Sequence, residues 1–162
     1  MPDYTLQLLI GAGVTLLLGF CSAILALSLA TVFLFLGQLK NRVCSGLIRV
    51  YSTVIRGIPE ILIIFLTFFG AAVVLTKVFG RYVELSPFFA GVLALGLVFA
   101  AYAYEILRGA LEAIPKGQFE ACQALGLSAV QTFLHIVFPQ LMQRAMPGLS
   151  NLWLIMLKET SL

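Results

Sequence analysis

The sequence predicts an all-α, polytopic membrane protein, a helical bundle that forms one domain over residues 1–162. Of the 162 residues, 61% are hydrophobic and only 10% are charged, whereas soluble domains are about half apolar and about a quarter charged. The mean hydropathy is +1.06. Long stretches lack charge altogether, and the basic residues collect in two of the connecting segments. Together these observations exclude an ordinary soluble globule.

Uncharged runs predict the membrane helices in chain order. Residues 4–39, 61–76 and 85–104 hold no charged side chain, and a spanning helix needs about 20 apolar residues. The first and third runs are long enough by themselves, and the second is long enough if residues 50–58 join it. A fourth candidate, residues 137–157, is interrupted by two prolines and two polar side chains. The sequence therefore predicts about four spans.

The first run predicts an uncleaved membrane helix. The opening "MPDYT" carries no basic residue, and the apolar stretch after it is too long for the core of a signal peptide. Small residues that stand four apart suit close packing of such helices against one another. These pairs are Gly19/Ala23, Ala26/Ala30, Ala90/Ala94 and Gly96/Ala100.

The basic residues predict the orientation of the chain. Four follow the first run, three follow the third, and two lie between the second and third: Lys40, Arg42, Arg49 and Arg56; Arg108, Lys116 and Arg144; Lys77 and Arg81. Lys and Arg are enriched in cytoplasmic loops, so we expect the N-terminus outside the cell and residues 116–140 in the cytoplasm. The basic residues are too scattered for a nucleic-acid-binding surface.

Several kinds of chemistry are excluded by what the sequence lacks. Cys21, Cys44 and Cys122 are far apart and form no C-x-x-C pair, which argues against a disulfide framework or a zinc site. His135 is the only histidine, and no metal site is expected. The phosphate-binding pattern G-x-x-x-x-G-K-[ST] is absent. We therefore expect no enzyme activity and no ATP hydrolysis by this chain.

Residues 116–140 are unusually polar and patterned for this chain. Pro115 ends the preceding helix, residues 118–125 can form a short helix, and Gly126 can end it in a left-handed conformation. Ser128 with Gln131 three positions later has the spacing of a capping box. An apolar stripe at i, i+3, i+4 and i+7 follows, at Val130, Phe133, Leu134 and Val137. The pattern predicts a helix, a glycine corner and a second helix; periodicity leaves open whether they rest on lipid or dock a partner.

The residues of this segment resemble a known motif. "EACQALGLSAVQTFLHIVFPQ" is similar to the cytoplasmic EAA loop of bacterial ABC-importer permeases, with Cys122 in place of the second alanine. The matching residues are Glu120, Ala121, Gly126, Ile136 and Pro139. "VIRGIPE", "AYAYEILRGALEAIPKGQ" and "LKETSL" resemble signatures of the polar-amino-acid branch, of the histidine/lysine/arginine/ornithine type. Agreement runs from about Tyr51 to the end; residues before 50 add only a compatible hydrophobic helix.

The resemblance implies a function and a set of partners. In that family the loop inserts a short coupling helix into a groove on a separate ATPase subunit, which binds ATP and Mg. Carried over, the contact consists of Glu120, Ala121, Cys122, Leu125 and Gly126, and this chain binds no cofactor itself. The other implied partners are a second permease subunit (a paralogue or a second copy), a periplasmic or lipid-anchored amino-acid-binding protein, and membrane lipid. The chain would carry polar, and more specifically basic, amino acids across the bacterial inner membrane.

Glu60 is the candidate for substrate contact. If the second span starts at Arg49, eleven residues at 1.5 Å each place Glu60 about 16 Å deep, near the midplane. Gly57 and Pro59 are expected to interrupt the helix just before it. Carboxylates in membranes are usually functional or paired, so Glu60 either binds a cationic substrate or balances Arg56. An acidic residue here resembles the histidine/lysine/arginine subtype.

Other polar residues in the spans suggest structural roles. Glu105 and Arg108 stand at i, i+3 and can pair within one helix, and with Arg56 they form the predicted structural ion-pair set. Tyr102 either lines the substrate pathway or lies at the membrane interface.

Alternatives from other classes remain open at this stage. The chain could be an ion-gradient-driven secondary transporter or channel subunit, or a transport-incompetent truncated fragment. The family continues past "LKETSL" with a further membrane helix and a cytoplasmic tail, so the resemblance implies about four of the usual five spans. We therefore expect residues 1–162 alone not to form a working pore.

Overall fold

The structure, a computed structural model, describes residues 2–39, 41–80 and 86–160, without the side chains at positions 2, 3, 60, 68, 71, 72, 75 and 79. Within these ranges the chain is helical almost throughout, which confirms the all-α prediction. The elements are α1 (Pro2–Gln38), α2 (Arg42–Gly57), α3 (Glu60–Phe79), α4 (Pro87–Glu112), α5 (Lys116–Ala124), α6 (Ala129–Thr132), a π-helical turn (Phe133–Val137) and α7 (Phe138–Glu159). Lys40 and Arg81, which entered the orientation argument, lie outside the described residues.

Helices α1 and α4 pack directly on each other through small residues. Ser22, Ala26 and Ala30 of α1 stand four apart and are at most 3% exposed, and Ala90 and Ala94 of α4 are equally buried. Small side chains let two helix backbones approach closely. The predicted pairs Ala26/Ala30 and Ala90/Ala94 thus lie in helix contacts, as expected.

By length and composition, two helices in the described part of the chain could each cross a membrane: α1 from Tyr4 to Gln38, and α4. A third candidate is α2 together with residues 61–67, but this pair is bent by 114°. The fourth predicted span coincides with α7, which is more polar and contains Pro147 within the helix.

The second span is interrupted where the sequence predicted. The expected interruption is present, because Ile58 is extended (φ −106°, ψ 139°) and Pro59 precedes α3, as the residue before a proline prefers. α2 and residues 61–67 are bent by 114°, an angle that the sequence did not predict. Glu60 begins α3, but its side chain lies outside the described part of the structure.

Two apolar clusters form the core and define the direction of α2. Ile48 packs in a cluster with Tyr104 and Leu107. Ile55 packs in a second cluster with Phe99. Since residues later in α2 meet residues earlier in α4, the two helices run in opposite directions. The charged end of α4 therefore lies at the same end of the bundle as the start of α2.

Candidate functional site

Residues 116–132, which we call the elbow, comprise α5, a turn and α6, and α5 is fixed to the core on one side only. Cys122 is 4% exposed, and Phe119, one turn earlier, packs against the cluster around Leu107. The opposite face is open, with Glu120 and Ala121 exposed and Leu125 78% exposed. One correction follows: Cys122, expected in the contact with a partner, points into the fold and supports the elbow from inside.

A glycine turn ends α5. Gly126 has φ +71°, a conformation that suits glycine because a side chain would be strained there. The N–H of Leu127 donates to the carbonyl of Cys122, and the N–H of Gly126 donates to the carbonyl of Gln123, both at 3.0 Å. This pair of bonds is the Schellman motif of a helix C-terminus. The predicted glycine corner is confirmed.

The second arm of the elbow starts at the predicted capping box. The Ser128 N–H donates to Gln131 Oε1 at 2.9 Å, and the Gln131 N–H donates to Ser128 Oγ at 3.3 Å. Both ends of the turn between the arms therefore have their own hydrogen bonds, which fixes the angle between α5 and α6.

A π-helical turn follows α6 and was not predicted. It covers Phe133–Val137 and leads without a break into α7. Pro139 lies two residues after its end, and a proline ring clashes with the carbonyl of the residue four before it, here His135. A wider turn relieves that clash, so Pro139 was the sequence signal for this feature. π turns are often found near functional sites.

The predicted apolar stripe lines one groove. Val130, Phe133, Leu134 and Val137 lie with residues from the ends of α1 and α4 around a volume of about 750 Å³. Val137 is buried, whereas Val130 is 67% exposed. The four side chains thus share one face, which is turned toward the end of α1.

A charged cluster joins α2 to α4 above the elbow. Glu105 accepts hydrogen bonds from Ser52 Oγ at 3.0 Å and from Arg108 Nη2 at 2.7 Å. Arg56 Nη1 lies 3.8 Å from the same carboxylate. Arg108 Nη1 also donates to Glu112 Oε1 at 2.6 Å. The structure thus brings Arg56, Glu105 and Arg108 together.

Two partners in this cluster escaped the sequence analysis. Ser52 is fully buried between α2 and α4, and it stands one turn before Arg56. Glu112 stands one turn after Arg108. Both could have been found from the i, i+4 spacing that places side chains on one helix face.

Tyr102 lies beside the cluster. The guanidinium of Arg56 lies 5.7 Å from the centre of the Tyr102 ring, within range of a cation–π attraction. The ring of Phe99 is 6.2 Å from that of Tyr102. Tyr102 therefore supports Arg56 from α4.

Comparisons with known proteins agree with one another. The family described as "Binding-protein-dependent transport system inner membrane component" matches residues 22–162. Agreement thus begins well before Tyr51, earlier than the motifs indicated. The arginine ABC transporter permease protein ArtQ of Haemophilus influenzae is 45% identical over 99% of this chain and 72% of its own length.

Two further matches cover nearly the whole of this chain. The histidine/lysine/arginine/ornithine transport system permease protein HisQ of Salmonella typhimurium is 38% identical over 94% of this chain and 68% of its own length. A crystal structure of an amino acid ABC transporter with histidines has a TM-score of 0.83 and 28% identity, covering 99% of this chain and 72% of that chain.

Proposed function

Because the chain belongs to the family of binding-protein-dependent transport system inner membrane components, we propose that it is the permease subunit of an ATP-driven importer of basic amino acids. As a permease component it is a membrane subunit and not an enzyme. The similar proteins ArtQ and HisQ are named for arginine and for histidine, lysine, arginine and ornithine, which supports a basic substrate. Family membership also disfavours the gradient-driven alternative.

The open face of α5, within the elbow, is the proposed contact with a separate ATPase subunit, which binds ATP and Mg. The observation that carries this assignment is the two-sided build of α5: Leu125 is 78% exposed while Cys122 is 4% exposed. Glu120, Ala121, Leu125 and Gly126 are free to meet a partner, while the other side is fixed to the core. A push on the open face therefore reaches α4 instead of bending a loose loop.

Family membership and the distribution of the basic residues support the remaining parts of the proposal. We assign residues 1–162 to one permease domain and residues 116–140 to its coupling loop. The elbow lies in the cytoplasm and the N-terminus outside, in a bacterial inner membrane. A second permease subunit and an external amino-acid-binding protein complete the importer. Movement of the permease halves against each other opens the path alternately to each side.

Two matched substitutions test the coupling surface. Ala121 and Ala129 are both exposed, but Ala121 lies on the proposed contact face and Ala129 starts the second arm. We expect Ala121→Asp to weaken binding of the ATPase subunit about tenfold or more, because an unpaired charge would be buried in the contact. Ala129→Asp should bind normally, since a carboxylate is favourable in the first turn of a helix.

The measurements are co-purification of the ATPase subunit in detergent and vanadate-sensitive arginine uptake in vesicles. Loss of both for Ala121→Asp alone, with normal membrane insertion, supports the assignment. Equal behaviour of the two variants would refute it.

A further inference from the structure

Helix α2 has three different faces. The first packs on α4 and includes the buried Ile48 and Ser52. The second is apolar yet exposed, with Val43 at 70%, Leu47 at 66%, Val50 at 60% and Val54 at 49%. The third face, which we call the polar face, carries three arginines spaced seven apart, with Gly46 and Thr53 between them. Its residues are Arg42, Gly46, Arg49, Thr53 and Arg56.

The second half of α2, which carries Thr53 and Arg56 of the polar face, is joined to the middle of α4. Ser52 Oγ lies 3.5 Å from the carbonyl of Ala101, and the Tyr51 hydroxyl donates to the carbonyl of Leu97 at 2.5 Å. Ala101 precedes the end of α4 at Glu112 by eleven residues, or about 16 Å at 1.5 Å per residue. α4 itself is a candidate span. An arginine beside a spanning helix is costly against lipid and normally faces a water-filled cavity or a partner, and Arg56 lies in this part of α2.

Arg56 is the least committed cation of the charged cluster. Its side chain is 43% exposed, and its distance to Glu105 of 3.8 Å is longer than a hydrogen bond. Glu105 is already held by Arg108 at 2.7 Å and by Ser52 at 3.0 Å. The guanidinium of Arg56, steadied by the ring of Tyr102, therefore has donors left for another anion.

We propose that the polar face of α2 lines the inner half of the substrate path and that Arg56 binds the α-carboxylate of the passing amino acid. This inference rests on the proposed function, since it takes the chain to be an amino-acid permease with the start of α2 in the cytoplasm. Every amino acid carries the α-carboxylate, and a guanidinium can bind it through two parallel hydrogen bonds. Arg49, two turns below, extends the positive potential along the same face. The exposed apolar face then lies against lipid or a neighbouring helix.

Cysteine accessibility tests the position of the polar face. In the assembled transporter, with Cys21, Cys44 and Cys122 replaced by alanine, single cysteines are introduced at Thr53 or Val54. These neighbours lie at the same depth and differ in the face they occupy. An impermeant anionic methanethiosulfonate applied to inside-out vesicles should modify Thr53→Cys and leave Val54→Cys unmodified.

The charge of the reagent provides a second readout. At Thr53→Cys we expect the anionic reagent to react about tenfold faster than a cationic analogue of similar size, because clefts lined by one sign of charge concentrate the opposite sign. Arginine at saturating concentration should slow the modification. Equal modification of the two cysteines, or faster reaction at Val54→Cys, would overturn the proposal.

Kinetics test the role of Arg56. We expect Arg56→Gln to raise the KM for arginine uptake about tenfold or more, as loss of a hydrogen bond between charged groups does, and to abolish protection of Thr53→Cys by substrate. Arg56→Lys should recover part of the affinity, and Arg42→Gln, at the open end of the face, should change KM less. A lower kcat with unchanged KM and intact protection would show that Arg56 is only structural.

The experiments distinguish failure of the proposed function from failure of this inference. If the parent transporter shows no vanadate-sensitive uptake, the proposed function fails. If uptake is vanadate-sensitive while the cysteine pattern or the Arg56 kinetics contradict the expectation, only this inference fails.

Discussion

The close contact between Gly96 of α4 and Leu25 of α1 allows a sharp test of how the bundle is held together. A Cβ atom added at Gly96 would lie 2.5 Å from Cδ2, 2.9 Å from Cγ and 3.2 Å from Cβ of Leu25. The Cδ2 methyl can rotate away, but the Cβ of Leu25 is fixed to the backbone of α1. Gly96→Ala therefore has to push the two helices apart, and overpacking of this kind costs typically about 1–3 kcal/mol.

Gly91→Ala is the matched control in the same helix pair. A Cβ at Gly91 meets the Leu18 Cδ1 methyl at 3.1 Å, and the other atoms of that side chain are at 3.8 Å or beyond. Rotation of one methyl group relieves this contact, so we expect a loss of less than about 1 kcal/mol. The assay is unfolding of the complete transporter in lipid nanodiscs, followed by heat or by SDS titration.

A double substitution identifies the cause. Leu25→Ala should destabilise the bundle by itself, because it removes apolar packing. In combination with Gly96→Ala it also removes Cγ and Cδ2, the two Leu25 atoms that the new methyl group would meet within 3.0 Å, and leaves only Cβ at 3.2 Å. The combined loss should therefore be smaller than the sum of the two single losses, with a coupling of about 1–2 kcal/mol. Strict additivity, or a Gly96→Ala variant as mild as Gly91→Ala, would refute the close-packing argument.

Three further predictions concern single positions. Gly126→Ala should weaken ATPase binding by up to about tenfold, because the φ of +71° at this position costs an alanine roughly 1–2 kcal/mol. Gly117→Ala is the control, since Gly117 is helical and an added Cβ has equally open space there, and it should bind normally. Equal affinities of the two variants in a binding titration would contradict this prediction. Ser22→Ala should raise the unfolding temperature, because the buried Ser22 hydroxyl lacks a hydrogen-bond partner in the described structure and such groups cost about 1–3 kcal/mol; a lower temperature would show a partner. Glu105→Gln should lower the unfolding temperature more than Glu112→Gln, since Glu105 accepts from two helices and the Glu112 side chain is 59% exposed; the reverse order would refute the cluster's role in stability.

The elbow could be predicted from the sequence because its signals are local. Gly126 ends α5 through its own backbone conformation, and the Ser128–Gln131 box closes within four residues. Such hydrogen bonds do not depend on distant parts of the chain. The burial of Cys122 could not be read in the same way, since a motif assigns a residue to a position without saying which face of the helix packs on the core.

The path of α2 and α3 shows the opposite case. Pro59 predicted a break, and a break is present, but a proline does not specify the direction in which the chain continues. That direction depends on where Ile55 and Ile63 pack against the cluster around Phe99. The contact joins residues more than 30 positions apart in the chain, so no local pattern contains it. The sequence therefore could not predict the bend of 114°.

The position of Glu105 suggests how the proposed coupling elbow and the proposed substrate path would act together. Its carboxylate binds Ser52 of α2 on one side and Arg108 on the other, and Arg108 continues to Glu112 in the last turn before the elbow. The elbow is fixed to the same end of α4 through Phe119 and the cluster around Leu107. Because these contacts join α2 to the elbow through α4, we expect a push on the elbow to move α2 and its polar face as well. A loop joined to α4 by sequence alone would absorb the same push by bending.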